Sequence, residues 1–191
     1  MLSSVHGVPF AVVWLAWLAY WFVAALNVKR TERRERFAPL ILNRAPLVIG
    51  ALLLAFERQP LHWLSSRFLP LSQAFYWIGL FMLVAGLAFA VWARRYLGRN
   101  WSGIVTVKQD HELIRSGPYA LVRHPIYTGL LFAILGTAVA IGEWRGLIAF
   151  VLITAGFVIK LRTEEKFMSE TFGTQYAHYR AEVPALIPFL V

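Results

Sequence analysis

The sequence predicts an all-α, polytopic integral membrane protein of about five transmembrane helices with a C-terminal amphipathic cytoplasmic helix. Three observations carry this. Of the 191 residues, 59% are hydrophobic and only 15% charged. The mean hydropathy of +0.58 exceeds what a water-soluble domain of this size tolerates. The cations gather between uncharged runs rather than on a separable basic domain. No repeat or low-complexity linker divides the chain, so residues 1–191 are read as one membrane domain, with helices 1 to 3 in 1–93 and the chemistry-bearing half in 94–191.

Val8 to Val28 is 21 residues without a charge. As a helix rising about 1.5 Å per residue it crosses a hydrocarbon core of about 30 Å. Because the segment before Val8 holds no Lys or Arg and the basic cluster follows the apolar run, the order is wrong for a cleaved signal peptide. This helix is expected to remain in the mature protein. A second span, Ala45 to Phe56, lengthens through Pro39 to Asn43 if Arg44 snorkels. Leu71 to Ala93 is a third span of 23 residues and Ile126 to Gly142 a fourth of 17. The fifth, Gly146 to Ile159, follows after only Glu143-Trp144-Arg145, so spans four and five must be antiparallel neighbours. Beyond it Glu164, Met168, Phe172, Tyr176, Tyr179 and Val183 recur at steps of four and three, the stripe of an amphipathic helix, with a bend expected at Gly173.

Sixteen of the nineteen Lys and Arg residues fall after span one, after span three or in the C-terminal tail; only Arg58, Arg67 and Arg145 lie on the other side. The positive-inside rule then puts the N-terminus outside and the C-terminus in the cytoplasm. The expected location is multi-pass, in the inner membrane of a bacterium or the endoplasmic reticulum of a eukaryote. The net charge of +9 is assigned to anionic membrane lipid, with no nucleic acid partner, since the cations are juxtamembrane. The absence of cysteine excludes disulfides, thiolate metal sites and a cysteine nucleophile. The five histidines form no HExxH or clustered set, so no metal is expected.

Arg94 to Arg123 is too long for a simple connection and is expected to fold over a ligand at the cytoplasmic boundary. Gly117-Pro118 reads as a turn presenting Tyr119. Pro125 suits the first turn of span four and leaves His124 at its cap, with Tyr127 one turn in. The N–H groups of that helix end, with His124 and Tyr127, would suit a carboxylate or hydroxyl group. The plain alternative is a belt of interface anchors. Lys160 and Glu164 share one face of a helix that continues from span five, while Arg162 and Glu165 point elsewhere, and the tight hairpin returns them beside the start of span four. His124, Tyr127, Lys160 and Glu164 are therefore expected to meet.

These residues resemble the isoprenylcysteine carboxyl methyltransferase family, whose bacterial relatives share features with phospholipid methyltransferases. The matching text is His111-Glu112-Leu113, Gly117-Pro118-Tyr119, Arg123-His124-Pro125-Ile126-Tyr127-Thr128-Gly129, Arg162-Thr163-Glu164-Glu165, and Phe172-Gly173 with Tyr176, Tyr179, Val183 and Pro188-Phe189. The resemblance implies S-adenosylmethionine bound on the cytoplasmic side by His111, Leu113, Ile114, Tyr119, His124, Pro125, Ile126, Tyr127 and Glu164, with Glu165 beside them. It implies a lipidic methyl acceptor entering from the bilayer, its carboxylate aligned by Lys160, Arg162 or Arg123. Lys160 stands where the eukaryotic enzymes have arginine, and a lysine cannot offer a bidentate guanidinium. The other readings are a phospholipid N-methyltransferase, an NADPH-dependent membrane sterol reductase, and a non-catalytic scaffold or transporter subunit.

Overall fold

The computed structural model describes residues 4–26, 31–34, 37–56, 61–98, 106–108 and 113–188. The chain is an integral membrane protein, and its described residues form α1 (Ser4–Ala25), α2 (Phe37–Ala55), α3 (Gln73–Leu97), α4 (Pro125–Ile141), α5 (Trp144–Phe172) and α6 (Thr174–Glu182). Among the described residues α1, α3 and α5 are long and apolar enough to cross a membrane; α4 and the 44–55 part of α2 are shorter apolar helices. Two short strands depart from the purely helical expectation: β1 (Thr31–Arg34) pairs antiparallel with β2 (Thr106–Lys108). Both come from polar connections, where backbone without a helix still needs partners, and their ladder ties the segment after α1 to the one after α3.

Helix ends follow local chemistry. The Ser72 hydroxyl accepts from the Ala74 N–H at 3.2 Å and caps α3. Pro125 occupies the first turn of α4, and Gly142, at φ +63°, closes its C-terminus so tightly that α5 begins two residues later. The helix of the fifth span continues past Ile159, as the shared face of Lys160 and Glu164 requires. Between Phe157 and Phe172 there is no glycine or proline, so α5 runs for 29 residues and carries Lys160 to Glu165 on one rigid rod. It breaks at Gly173, at φ +51°, where α6 begins.

The α3–α4 interface explains the placement of the site. Gly79 and Gly86 on α3 face Gly136 and Gly129 on α4: a Cβ on Gly79 would run into the Gly136 carbonyl oxygen, and one on Gly86 into that of Gly129. Small residues seven apart on each helix let two antiparallel backbones touch along two turns, which in lipid is the main route to tight packing. Leu83, Leu87 and Ala133 fill the seam, with Phe10, Val13, Trp14 and Trp17 of α1 against them. The Trp14 indole N–H donates to the Thr137 hydroxyl at 3.2 Å.

Two buried arginines fasten opposite ends of the bundle. At one, Arg145 donates to the carbonyls of Leu53 (3.1 Å), Leu54 (3.2 Å) and Phe56 (3.1 Å), serving the unpaired C-terminus of α2, and to Glu143 at 2.6 Å. At the other, Arg94 donates to the Ala24 carbonyl at 2.6 Å and to that of Gly98, joining the ends of α1 and α3.

Candidate functional site

The site lies where α4 starts and α5 leaves the apolar part of the bundle. Residues 157, 160, 161 and 164 share one face of α5 by helical spacing, and this face meets the first turn of α4. The Tyr127 hydroxyl donates to Glu164 Oε1 at 2.6 Å. Lys160 Nζ lies 3.9 Å from the same oxygen and 5.4 Å from the centre of the Tyr127 ring. His124 bridges both carboxylates, with Nδ1 3.6 Å from Glu164 Oε2 and Nε2 3.3 Å from Glu165 Oε1. The His124, Tyr127 and Phe157 rings form a stacked column with centroid spacings of 5.6 and 4.8 Å.

A second tier holds the first. Arg123 donates to Glu165 Oε1 through Nε (2.9 Å) and Nη2 (2.7 Å). Its Nη1 serves the Arg180 carbonyl at 3.1 Å and the Val183 carbonyl. Arg180 Nε lies 3.9 Å from Glu165 Oε2. Exposure separates the tiers: the side chains of Arg123 and Glu165 are 8% and 11% exposed, those of Lys160 and Glu164 19% and 24%. The inner pair is spent on the protein, and the outer pair is the more exposed.

The chain after α6 closes the arrangement. The Arg123 N–H donates to the Pro184 carbonyl at 2.8 Å and the His124 N–H to that of Ala185 at 3.0 Å, while the Thr128 hydroxyl donates to Leu186 O at 2.6 Å. The two N–H groups just before α4 are thus taken by protein. Those of Ile126 and Tyr127, within the first turn, have no carbonyl four residues back inside the helix.

Burial alone would disfavour the His124 imidazolium, but hydrogen bonds to Glu164 and Glu165, and then their charges, outweigh it and raise the His124 pKa above the ordinary histidine value. Burial, with the Glu164 charge next, pushes the Tyr119 phenol well above its usual range, so it stays neutral. Burial pushes Tyr179 up to about 12, and its hydroxyl donates to the Tyr119 carbonyl at 2.6 Å.

Of the candidates read from the sequence, the structure brings His124, Tyr127, Lys160, Glu164, Glu165 and Arg123 together. Glu165, expected to point away from Glu164's partners, joins them because His124 reaches across both. Arg162 lies on the exposed side of α5. Leu113 packs with Tyr176, Tyr179 and Val183 of the α6 cluster. Ile114 is half-buried, Pro125 fully buried, and Ile126 packs beside Tyr127. His111 lies outside the described residues. Sequence reasoning missed Phe157, detectable as the residue one turn before Lys160 and Leu161. It also missed the carbonyls of Pro184 to Leu186, which act through backbone and leave no side-chain signal.

Comparison with known proteins points to this same part of the chain. The family model described as phospholipid methyltransferase matches residues 74–175. Protein-S-isoprenylcysteine O-methyltransferase B of Arabidopsis thaliana is 31% identical over 64% of this chain and 66% of its own length. Protein-S-isoprenylcysteine O-methyltransferase of Schizosaccharomyces pombe is 38% identical over 49% of this chain and 41% of its own. The matches thus span about two fifths to two thirds of these relatives' own lengths. A solved eukaryotic intramembrane Ras methyltransferase, an isoprenylcysteine carboxyl methyltransferase, superposes with a TM-score of 0.54 at 24% identity, covering 82% of this chain and 55% of that one, and so shares its fold.

Proposed function

Since the chain belongs to the phospholipid methyltransferase family, we propose that it transfers a methyl group from S-adenosylmethionine to the carboxylate of a lipidic, isoprenylcysteine-like acceptor. The observation carrying this reading is the meeting of His124, Tyr127, Lys160 and Glu164 at the α4–α5 junction, within residues 74–175 that the family model matches.

The donor set suits the methyl donor. Glu164 and Lys160 place opposite charges side by side, partly exposed, beside a column of aromatic rings, which matches a zwitterionic amino acid attached to a cationic sulfur. When bound, S-adenosylmethionine supplies an electrophilic methyl group on a sulfonium. Glu164 is held by Tyr127, His124 and Lys160, and its remaining acceptor capacity would suit hydroxyl or ammonium groups of the donor. The first-turn N–H groups of α4 would suit the donor's carboxylate, while His124 holds Glu164 and Glu165 in place. Lys160, at the outer edge of the cluster, aligns the acceptor anion; Arg162 lies on the exposed side of α5, and Arg123 orients Glu165.

A carboxylate acceptor is already ionised near pH 7, so the protein needs no general base, and alignment with partial loss of hydration supplies the rate. The Tyr127–Phe157 stack, backed by Ile134, Ile153 and Leu161, keeps the α4–α5 seam dry beneath the charges. The apolar tail of the acceptor would enter from the bilayer side of that stack and the polar donor from the cytoplasmic side. The second reading, phospholipid N-methylation, is favoured by the family's own description. It requires a proton to leave the amine, and Glu164 would receive it.

The test offers purified protein labelled S-adenosylmethionine with a farnesylated cysteine acid or with phosphatidylethanolamine. Base-labile label on the thiol acid is expected. Base-stable label on the amine lipid would replace the first reading by the second. S-adenosylhomocysteine should raise thermal stability, by about 2.7 kcal/mol at roughly one hundred times its Kd; stabilisation by NADPH instead would transfer the site to a reductase.

A further inference from the structure

On the opposite side of α3 from α4, at its C-terminal end, a cavity of about 630 Å³ is lined by Ala88, Val91, Trp92, Arg95 and Tyr96. We propose that this groove seats one anionic phospholipid of the cytoplasmic leaflet, its phosphate on Arg95 and an acyl chain along Ala88 and Val91.

The groove joins a polar end to an apolar end in the order that a lipid requires. Arg95 stands in the last turn of a membrane-spanning helix, and Ala88 lies two turns deeper, where its small side chain leaves room. Trp92 and Tyr96 meet edge to face, with centroids 5.9 Å apart and planes at 88°, and Phe89 braces Trp92 in the same way at 5.7 Å. Rings held in that chain form a fixed corner, whereas simple interface anchors need no common hollow. Arg95 is exposed and makes no ion pair with any acid among the described residues. An exposed arginine at the end of a spanning helix selects a negative headgroup over a zwitterionic one.

The groove also touches the site's framework without belonging to it. The Tyr96 ring lies against Gly117, where any Cβ would collide with it, and Gly117 opens the 3-10 turn (Gly117–Ala120) that carries Tyr119 towards His124.

The experiment counts lipids retained by the full chain after exchange into detergent containing equal phosphatidylglycerol and phosphatidylcholine, read by native mass spectrometry. Phosphatidylglycerol has no amine and no thioether carboxylate, so its retention is independent of methyl transfer. The wild type should hold one phosphatidylglycerol in preference to phosphatidylcholine. Arg95→Gln should lower that preference about fivefold, Arg95→Lys should keep most of it, and Ala88→Trp should expel the lipid while Arg95 remains. Equal retention of the two lipids by the wild type, or an unchanged preference in Arg95→Gln, would overturn the proposal. So would displacement by glycerol phosphate, which would assign Arg95 to free phosphate. Unaltered S-adenosylhomocysteine affinity in Arg95→Gln would separate this result from the methyltransferase reading.

Discussion

Glu164 is the residue on which the outer tier converges, since Tyr127, His124 and Lys160 all reach it. Tyr127→Phe removes a charge-assisted hydrogen bond of 2.6 Å, and a loss of about 1.5–3 kcal/mol in stability is expected from denaturation of the detergent-solubilised protein. The same change, and Glu164→Ala, should abolish S-adenosylhomocysteine binding in calorimetry; unchanged binding would remove both residues from the site. His124 supplies a pH signature. Its pKa is raised in the folded protein, so its stabilising contribution is complete below the unfolded value of about 6.5 and is lost as pH rises through the folded value. The melting temperature of the wild type should fall across that alkaline window more steeply than that of His124→Gln, and parallel curves would contradict the bridging role. Lys160 and Glu164 could be paired from their spacing of four. The role of Arg123 could not, because its partners Glu165, Arg180 and Val183 are 42 to 60 residues away.

Helices meet closely here because glycine permits it at four matched positions. Gly86→Leu or Gly129→Leu must drive a branched side chain into the facing backbone carbonyl, a cost of at least about 1–3 kcal/mol with displacement of α4. Since α4 carries His124 and Tyr127 at its start, ligand binding should fail along with stability, measured by thermal shift with and without S-adenosylhomocysteine. Gly7, with open space around it, is the matched control. The segment after α6 works through carbonyls. Deleting residues 184–191 should leave the helices assembled by circular dichroism yet weaken ligand binding, because the Arg123 and His124 N–H groups lose their acceptors; full affinity in the truncated chain would refute this. The sequence showed α4 and α5 as an obligatory hairpin, from the short connection alone. It also placed the bend at Gly173, where α5 ends and α6 begins; the fall in hydropathy after Ile159 marks only where that helix leaves the apolar part of the bundle.

At the scale of the whole molecule, charge sets orientation and buried arginine sets closure. The absence of cysteine makes the first testable directly. Leu61→Cys, in the segment between α2 and α3, and Lys166→Cys, near the end of α5, should react with a membrane-impermeant maleimide from opposite sides of sealed vesicles. Arg145→Met would leave the α2 carbonyls of Leu53, Leu54 and Phe56 unserved; a loss of about 3–5 kcal/mol is expected where a buried charged partner is removed, read as lowered thermal stability. Taken alone, the sequence determined the membrane class, the order of the helices, the pairing of α4 with α5 and the outer tier of the site. Each of these depends on composition or on spacing within a helix, which act locally. Tertiary structure alone decided that α4 presses against α3 through Gly79, Gly86, Gly129 and Gly136, that Glu165 and Arg123 form an inner support, and that the C-terminal carbonyls seat the start of α4. Those contacts join residues far apart in the chain through backbone atoms and small side chains, which carry no periodic or chemical mark until the helices are packed.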